Sequence, residues 1–589
     1  MRRPIGRMAA WGLAVVLAAP VLAGAEPAPD IEMQFGVKLE LRDGVHLVAT
    51  LFKPREMKDP LPVVFTLTPY NTDTYYARAA YFARHGYVFA LVDVRGRGNS
   101  EGDFMPFENE ARDGHDVVEA LARLPLCDGK VAMWGGSYAG FDQWSTAKEL
   151  PEHLSTIVPA AAAAGAVDFP FFKNVSVPYL VQWATLTGGR TVSWNLFGDA
   201  SFWISRYQEA FRRQLAFREL DSFLGHPSAW FQKTVAHPRP DAYWKAMNPT
   251  SEQFAALRLP ILTITGHYDD DQPGALWYYR EHMKHGSTEA KQKHFLIVGP
   301  WDHAGTRTPL REMGGLRFGE KSQLDLNGLH REWYDFAMKG GPRPAFLQKR
   351  VAYYVVGAED WKFADSLEAV TGERRILYLD SDGKADDVSH TGSLAARKPS
   401  AASPTDAYTY DPKDLRPADL EASEIEKPVT DERYVRNTFG NGVLYTSAPF
   451  AEDTELSGSV RLTAFLKLDV PDTDFKASLY ELPAEGGSVL LSEDMLRARY
   501  RESLEQETPV PPGQVLRYEF DGFTFFSRLV RKGSRLRLFL RSPNSIFLQK
   551  NYNSGKPVAE ETAADSRVAH VVLYHDAAHP SALDLPIGR

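Results

Sequence analysis

The sequence predicts an α/β chain in two parts: a parallel sheet with flanking helices, and an all-β sandwich that follows it. Short apolar strands alternate with helical patterns over residues 26–345, and an aromatic-rich helical stretch interrupts that alternation. The residues after 345 are typical of strands alone. At 589 residues the chain is also long enough for several domains.

The first 25 residues are expected to be a signal peptide that is cleaved after Ala25. Three arginines precede an apolar stretch over residues 8–22, and an Ala-Gly-Ala pattern follows at 23–25. The alternative, a membrane anchor, is disfavoured because Pro20 interrupts a run that is already short of a bilayer span. We therefore expect a periplasmic or secreted protein without a membrane partner.

Charge and cysteine content exclude several classes of function. The formal net charge is −9, and cleavage removes three arginines and no acid, which leaves −12 (−9 − 3). An acidic chain without a basic cluster predicts no nucleic-acid partner. The single cysteine, Cys127, cannot form an intrachain disulfide or a CxxC site, and a small buried residue is its expected role.

The α/β part is predicted to be split, with one portion at 26–165 and the other at 251–345. It begins with a hairpin over 33–53 that turns at Asp43-Gly44. Further predicted elements are strands at 61–67, 87–94, 130–134, 261–265 and 294–299, and helices at 109–124 and 274–285. Continuous apolar strands that alternate with helices favour a parallel sheet covered on both faces.

The insertion at 166–250 is expected to be a helical cap over the carboxyl edge of the sheet, where open α/β sheets bind ligands. We expect most of its aromatic side chains to fill the cap's own core and a minority to face a pocket. Five tryptophans lie in this stretch: Trp183, Trp194, Trp203, Trp230 and Trp244.

The third region, 346–589, predicts a two-sheet sandwich of the jelly-roll type. A stretch rich in Ser, Ala, Thr and Asp at 381–409 is predicted to be a long surface loop. Alternating strands are predicted at 458–468, 475–482, 514–523, 534–542 and 568–576.

The run "VAMWGGSYAGFDQW" predicts a nucleophile elbow at Ser137. The sharp turn between strand and helix needs small residues two positions before and after the serine, and Gly135 and Ala139 meet that need. A helix is expected to begin near Phe141, and the amide of Tyr138 is then placed to stabilise an oxyanion. The alternative is a glycine-rich corner without a catalytic role.

A serine hydroxyl needs a base, and the chain supplies partners in the order that this fold requires: serine, acid, histidine. Asp269 follows the predicted strand at 261–265, and His303 follows the next strand. Asp270 and Asp271 come directly after Asp269 and leave the assignment of the acid open. The extra carboxylates are also compatible with a solvated acidic loop, or with attraction of a cationic substrate.

Motifs along nearly the whole mature chain resemble the cocaine-esterase and X-prolyl dipeptidyl-peptidase family (CocE/NonD-type serine hydrolases), which includes α-amino-acid ester hydrolases and glutaryl acylases. The motifs are "TPY", "DVRGRGNSEG", "GGSYAG", "GHYD", "GPWDH", "YDPKD", "DTDF", "LRARYRES" and "NYNSG". The resemblance implies an α/β-hydrolase domain with an inserted helical cap, followed by a C-terminal all-β jelly-roll sandwich.

The same resemblance implies roles for five residues. Ser137 is the expected nucleophile, Asp269 the orienting acid and His303 the general base; the spacing from Gly266 favours Asp269 over its neighbours. Tyr70 matches the tyrosine whose hydroxyl completes the oxyanion hole with the Tyr138 amide. Without the resemblance, Tyr70 would be interpreted as a packed aromatic residue after a strand.

The predicted function is that of a secreted serine hydrolase that cleaves small carboxylic esters. The alternative is an enzyme that acts on amides or amino-acid esters: an X-Pro dipeptidyl-peptidase, an α-amino-acid ester hydrolase or a β-lactam acylase. A third hypothesis is a carbohydrate- or surface-binding protein with an inactive hydrolase domain. No metal or organic cofactor is expected, and the oligomeric state is left open. "GRGNSEG" lacks phosphate-loop spacing, and His282 and His285 are predicted to be solvated helix residues rather than metal ligands.

Overall fold

The computed structural model describes residues 30–71, 75–399 and 403–589. The predicted signal peptide lies outside the described residues. In the part of the chain that is described, no helix has the length and apolarity needed to cross a bilayer.

The first portion of the α/β domain contains six strands and three helices. The strands are β1 Ile31–Glu40, β2 His46–Pro54, β3 Leu61–Thr68, β4 Val88–Asp93, β5 Cys127–Ser137 and β6 Leu154–Ala162. The helices are α1 Tyr76–Arg84, α2 Glu110–Ala122 and α3 Tyr138–Lys148. Helix α3 thus begins three residues before the predicted start near Phe141, because strand β5 runs directly into it through the turn at Ser137.

A mainly helical insertion follows β6. It contains two short strands, β7 Phe171–Phe172 and β8 Val175–Ser176. Its helices are α4 Tyr179–Thr187, α5 Trp194–Phe197, α6 Ala200–Arg213, α7 Leu220–Phe223, α8 Ala229–Ala236, α9 Ala242–Lys245 and α10 Ser251–Ala256. Four of its five tryptophans are buried, and Trp194 is exposed.

The chain then returns to the first sheet. The strands are β9 Ile261–Tyr268, β10 His294–Asp302, β11 Glu312–Met313, β12 Leu316–Arg317, β13 Val351–Val355 and β14 Asp360–Ala364. The helices are α11 Gln272–His285, α12 Thr288–Gln292 and α13 Leu326–Lys339.

Ten of these strands form one sheet in the order β1-β2-β4-β3-β5-β6-β9-β10-β13-β14. The strands from β4 to β13 pair in parallel, and antiparallel strands lie at both edges. Successive side chains alternate between two cores: Val63 and Phe65 pack on one face, and Val64 packs on the other. Parallel pairing brings the carboxyl ends of β5, β9 and β10 to one edge.

The described residues after β14 contain thirteen strands around one large apolar core. They are β15 Thr371–Asp380, β16 Gly392–Ala395, β17 Asp406–Tyr410, β18 Gly442–Ser447, β19 Thr454–Gly458, β20 Arg461–Leu468, β21 Asp474–Leu482, β22 Val489–Arg497, β23 Val515–Phe520, β24 Phe526–Val530, β25 Arg535–Arg541, β26 Ala569–Tyr574 and β27 Ala582–Gly588, with short helices α14 Arg416–Leu420 and α15 Arg433–Arg436. The alternating burial along β20 is typical of a strand with one face in a sandwich core.

The fold class predicted from the sequence, an α/β domain with a helical insertion and an all-β C-terminal part, is confirmed. The surface loop predicted at 381–409 is wrong in part, because strands β16 and β17 lie inside it. Strand β16 pairs with β15 and β18, and β17 pairs with β26. The backbone groups of this polar stretch form hydrogen bonds with strands that are distant in the chain. Local amino-acid composition does not predict such pairing.

Candidate active site

Ser137 is the last residue of β5 and lies at a turn with an unusual backbone conformation. Its φ of 62° and ψ of −128° are rare for a residue with a side chain. A Cβ atom at Gly135 would lie 2.6 Å from the Cβ of Ala139, so the turn excludes larger residues at both positions. This geometry is that of a nucleophile elbow, and it directs the Ser137 hydroxyl away from the sheet edge.

Asp269 and His303 meet at the same edge because the parallel strands β9 and β10 are neighbours. His303 Nδ1 lies 2.9 Å from Asp269 Oδ1. Asp269 is 3 % exposed, and its other oxygen accepts a hydrogen bond from Thr265 Oγ1 at 2.8 Å. The carboxylate is therefore fixed on both oxygens and holds the imidazole with Nε2 facing outward.

The two aspartates after Asp269 have different environments. Asp271 Oδ2 lies 3.7 Å from His303 Nδ1, and the Asp271 side chain is only 15 % exposed, so this residue is not part of a solvated loop. Asp270 is exposed to solvent and lies close enough to His303 for their charges to interact. Asp269 is thus the carboxylate in hydrogen-bond contact with the imidazole, and Asp271 is a second carboxylate beside it.

These carboxylates control the charge of the imidazole. Burial by itself opposes the charged ring, but the hydrogen bond that the ring donates to Asp269 and the negative charges of Asp271 and Asp269 outweigh it. The pKa of His303 is therefore raised above its ordinary value. Burial raises the pKa of Asp271, and the nearby His303 opposes that effect.

Tyr70 extends its hydroxyl group to Ser137. The hydroxyl is buried, lies close enough to the Ser137 side chain to interact with it, and accepts a hydrogen bond from Trp183 Nε1 at 3.0 Å. Because an indole N–H can only donate, the proton of the Tyr70 hydroxyl remains available to point toward Ser137. Burial raises the pKa of Tyr70 well above its ordinary value, so the group stays a neutral donor.

Tyr138 supplies the first amide of α3, next to the serine. Its side chain is held rigidly: the hydroxyl donates to Glu110 Oε1 at 2.6 Å and accepts from the Phe107 amide at 2.7 Å. The ring also stacks on Trp183 at 5.7 Å. The Tyr138 amide and the Tyr70 hydroxyl therefore flank Ser137, where two donors can stabilise one oxyanion.

Ser137 and His303 share the pocket without a direct hydrogen bond in the described part of the chain, where the serine hydroxyl contacts Tyr70 instead. The Asp271 carboxylate lies near both side chains, since its charge acts on both Tyr70 and His303. Hydrogen bonds between nucleophile and base are often long in unliganded hydrolases and shorten with substrate.

Two exposed aromatic side chains from the cap lie beside the candidate active site. Trp194 is 42 % exposed and its ring lies 6.1 Å from that of Tyr70. Tyr179 is 40 % exposed and packs against Phe197, while the negative charges of Asp270 and Asp271 act on its hydroxyl. The contact between Trp183 and Tyr70 was not predicted; it joins residues 113 positions apart, and no local pattern signals it.

Two motifs outside the triad have structural roles. His282 is fully buried, which corrects the prediction that it is a solvated helix residue: its Nδ1 lies 2.9 Å from Nδ1 of His294, on the neighbouring strand. His285 is partly exposed beside Glu281.

In "GRGNSEG", Arg97 donates to the carbonyl oxygens of Pro69 and Thr187, so this loop ties the segment before Tyr70 to the cap.

Comparisons with known proteins agree with this architecture. The family model described as X-Pro dipeptidyl-peptidase (S15 family) matches residues 43–305, and the model of the X-Pro dipeptidyl-peptidase C-terminal non-catalytic domain matches 346–584. A cocaine esterase from Rhodococcus sp. (strain MB1 Bresler) is 25 % identical over 577 residues, which is 94 % of this chain and 98 % of the esterase.

Solved structures with the same fold cover almost the whole chain. An α-amino acid ester hydrolase superposes with a TM-score of 0.81 and 20 % identity, over 98 % of this chain and 100 % of the other. An aminopeptidase from a marine-sediment Thaumarchaeota archaeon gives a TM-score of 0.79 and 21 % identity, over 97 % and 99 %.

Proposed function

Because the chain belongs to the X-Pro dipeptidyl-peptidase (S15) family and is a serine hydrolase, we propose that it cleaves carboxylic esters through an acyl-enzyme on Ser137. The observation that carries the proposal is the contact of 2.9 Å between His303 Nδ1 and Asp269, at the same sheet edge as the elbow. The full-length relationship to a cocaine esterase supports an ester as the substrate.

The proposed reaction has two steps. His303 Nε2 takes the proton of Ser137 Oγ while the oxygen attacks the acyl carbon, and the oxyanion forms against the Tyr138 amide and the Tyr70 hydroxyl. Return of the carbonyl expels the alcohol, which receives the proton from His303. Water then attacks the acyl-enzyme with His303 again as the base, and the carboxylic acid leaves.

A second candidate function is hydrolysis of esters or amides whose acyl group carries a cationic amine. The observation that favours it is the pair Asp270 and Asp271 beside the imidazole, because negative charge in a low-dielectric pocket attracts an ammonium group. X-Pro dipeptides, α-amino-acid esters and amine-bearing β-lactams are the substrate classes that this function includes.

One experiment tests the serine. A fluorophosphonate probe is expected to label the protein and Ser205→Ala, an exposed cap serine, but not Ser137→Ala. Asp269→Asn is expected to reduce kcat on p-nitrophenyl butyrate by about 10⁴-fold, because the imidazole loses the partner that fixes its tautomer. Equal labelling of wild type and Ser137→Ala would exclude Ser137 as the nucleophile.

A substrate comparison separates the candidate functions. Purified protein is assayed on p-nitrophenyl butyrate, phenylglycine methyl ester and Gly-Pro p-nitroanilide. The ester proposal expects the highest kcat/KM on the butyrate ester. A higher kcat/KM on either amine-bearing substrate, lowered selectively by Asp270→Asn or Asp271→Asn, supports the second function instead.

We also propose that the protein is exported. Expression of the full chain, followed by fractionation and N-terminal sequencing, is expected to give a periplasmic or secreted product that begins at Glu26. A product that retains Met1, or that remains in the cytoplasm, contradicts this proposal.

A further inference from the structure

A second cavity lies between the cap and the C-terminal domain, away from the serine. It is a solvent-open cleft between helix α6 and the segment at 546–552. Pro178 lines it, whereas the next residue, Tyr179, faces the candidate active site. The wall is mainly apolar, with Phe211, Leu215, Phe217, Leu220, Ile546 and Leu548.

One cationic side chain, Lys550, points into this apolar wall. Its Nζ lies 3.5 Å from the ring centroid of Phe211 and donates to the carbonyl oxygen of Pro412 at 2.9 Å. Among the described residues, no carboxylate lies within ion-pair distance of this amine. An ammonium group without a counter-ion in an apolar site is costly, and a bound anion removes that cost.

Gln214 adds unused polar groups to the same cleft. It ends helix α6 in a left-handed conformation, and its Oε1 is buried without a hydrogen-bond partner among the described residues. The side-chain amide also carries two N–H donors that form no hydrogen bond there. The cleft therefore combines a cation, free amide donors and an apolar wall.

We propose that this cleft binds a small monocarboxylate, with its carboxylate on Lys550 and Gln214 and its hydrocarbon tail against the apolar wall. Charge complementarity selects the anion, and the phenyl and aliphatic side chains select a tail without polar groups. A neutral alcohol leaves the ammonium without a counter-ion, and an amine adds a second positive charge.

The protonation of Lys550 gives this site a pH dependence. Burial lowers the pKa of Lys550 to about 7, against the opposing charges of Asp414 and Asp411. The Asp414 carboxylate is itself paired with Arg416, and Asp411 is exposed to solvent. The tyrosines that also line the cleft, Tyr207 and Tyr552, have raised pKa values and stay neutral. A carboxylate is therefore bound by the ammonium form, which is lost as the pH rises above 7.

Octanoate is the probe, and Ser137→Ala is the protein, so that no turnover interferes. Calorimetry at pH 6.5 is expected to show octanoate binding that weakens at least about tenfold at pH 8.5, and n-octanol is expected to bind at least about tenfold more weakly. Adding Lys550→Met is expected to abolish this binding event. Lys556→Met, which removes an exposed lysine paired with Asp565, is the matched control and is expected to bind normally.

Two results overturn the proposal: octanoate binding that is unchanged in Lys550→Met, or n-octanol binding as tight as octanoate binding. If Lys550→Met does not fold, Ala210→Phe gives the answer, because it fills the cleft and retains the amine. Weakened octanoate binding in the folded Ala210→Phe protein supports the site, and unchanged binding refutes it.

Discussion

The hydrogen bond between Trp183 and Tyr70 makes the sharpest prediction about catalysis. Trp183→Phe keeps a buried aromatic ring but removes the indole N–H that donates to the Tyr70 hydroxyl at 3.0 Å. In the native site this donor occupies a lone pair of Tyr70, so the hydroxyl proton remains available to point toward Ser137. Without the donor, the hydroxyl can rotate away from the position where the oxyanion forms.

The expected losses in kcat follow from what each substitution removes: the Tyr70 hydroxyl itself, or the hydrogen bond that orients it. Tyr70→Phe removes an oxyanion donor and is expected to lower kcat by about a hundredfold or more. Trp183→Phe removes only the hydrogen bond that orients that donor, worth about 1 kcal/mol, which corresponds to about a fivefold loss in kcat. KM is expected to change little, because the Tyr70 hydroxyl contributes in the transition state.

A double-mutant cycle on p-nitrophenyl butyrate measures the coupling. Once Tyr70 is phenylalanine, adding Trp183→Phe is expected to change kcat by less than about twofold, since there is no hydroxyl left to orient. Trp230→Phe is the matched control: it is another buried cap tryptophan, 4.9 Å from Trp183, and its Nε1 has no hydrogen-bond partner among the described residues. An equal loss of kcat from Trp183→Phe in the presence and absence of the Tyr70 hydroxyl would refute the reasoning.

Three further predictions concern charge and packing. Asp271→Asn removes a negative charge that raises the pKa of His303, so the acidic limb of kcat/KM is expected to move to lower pH; an unmoved limb contradicts this. Burial lowers the pKa of His282 to about 4, so the unfolded chain binds a proton below pH 6.5 that the native site excludes, and stability is lost as the pH falls from 6.5 to 4. His282→Gln is expected to remove roughly 2–3 kcal/mol of the difference in unfolding free energy between pH 7 and pH 4.5, and His285→Gln very little. Gly266→Ala is expected to destabilise the protein by about 1–3 kcal/mol in denaturant titrations, because its Cβ would lie 2.0 Å from a carbonyl oxygen of the neighbouring strand.

Local sequence patterns suffice to predict the layered architecture and the position of the elbow. Strand period, turn residues and the small residues around Ser137 are local properties, since they reflect backbone sterics and the burial of one or both faces. The order of Ser137, Asp269 and His303 after successive strands was also visible, because parallel strands bring their carboxyl ends to one edge.

Which side chains come into contact, in contrast, depends on the packing of segments that are distant in the chain. The family spacing from Gly266 favoured Asp269 among three consecutive aspartates, and the distances to one imidazole nitrogen, 2.9 Å from Asp269 and 3.7 Å from Asp271, agree with that choice. His282 looked solvated on its helix, but the neighbouring strand covers it. Trp183 reaches Tyr70, and Lys550 reaches Phe211, only because the cap folds back between two domains. Such contacts arise from packing between distant segments, so a local pattern of residues cannot predict them.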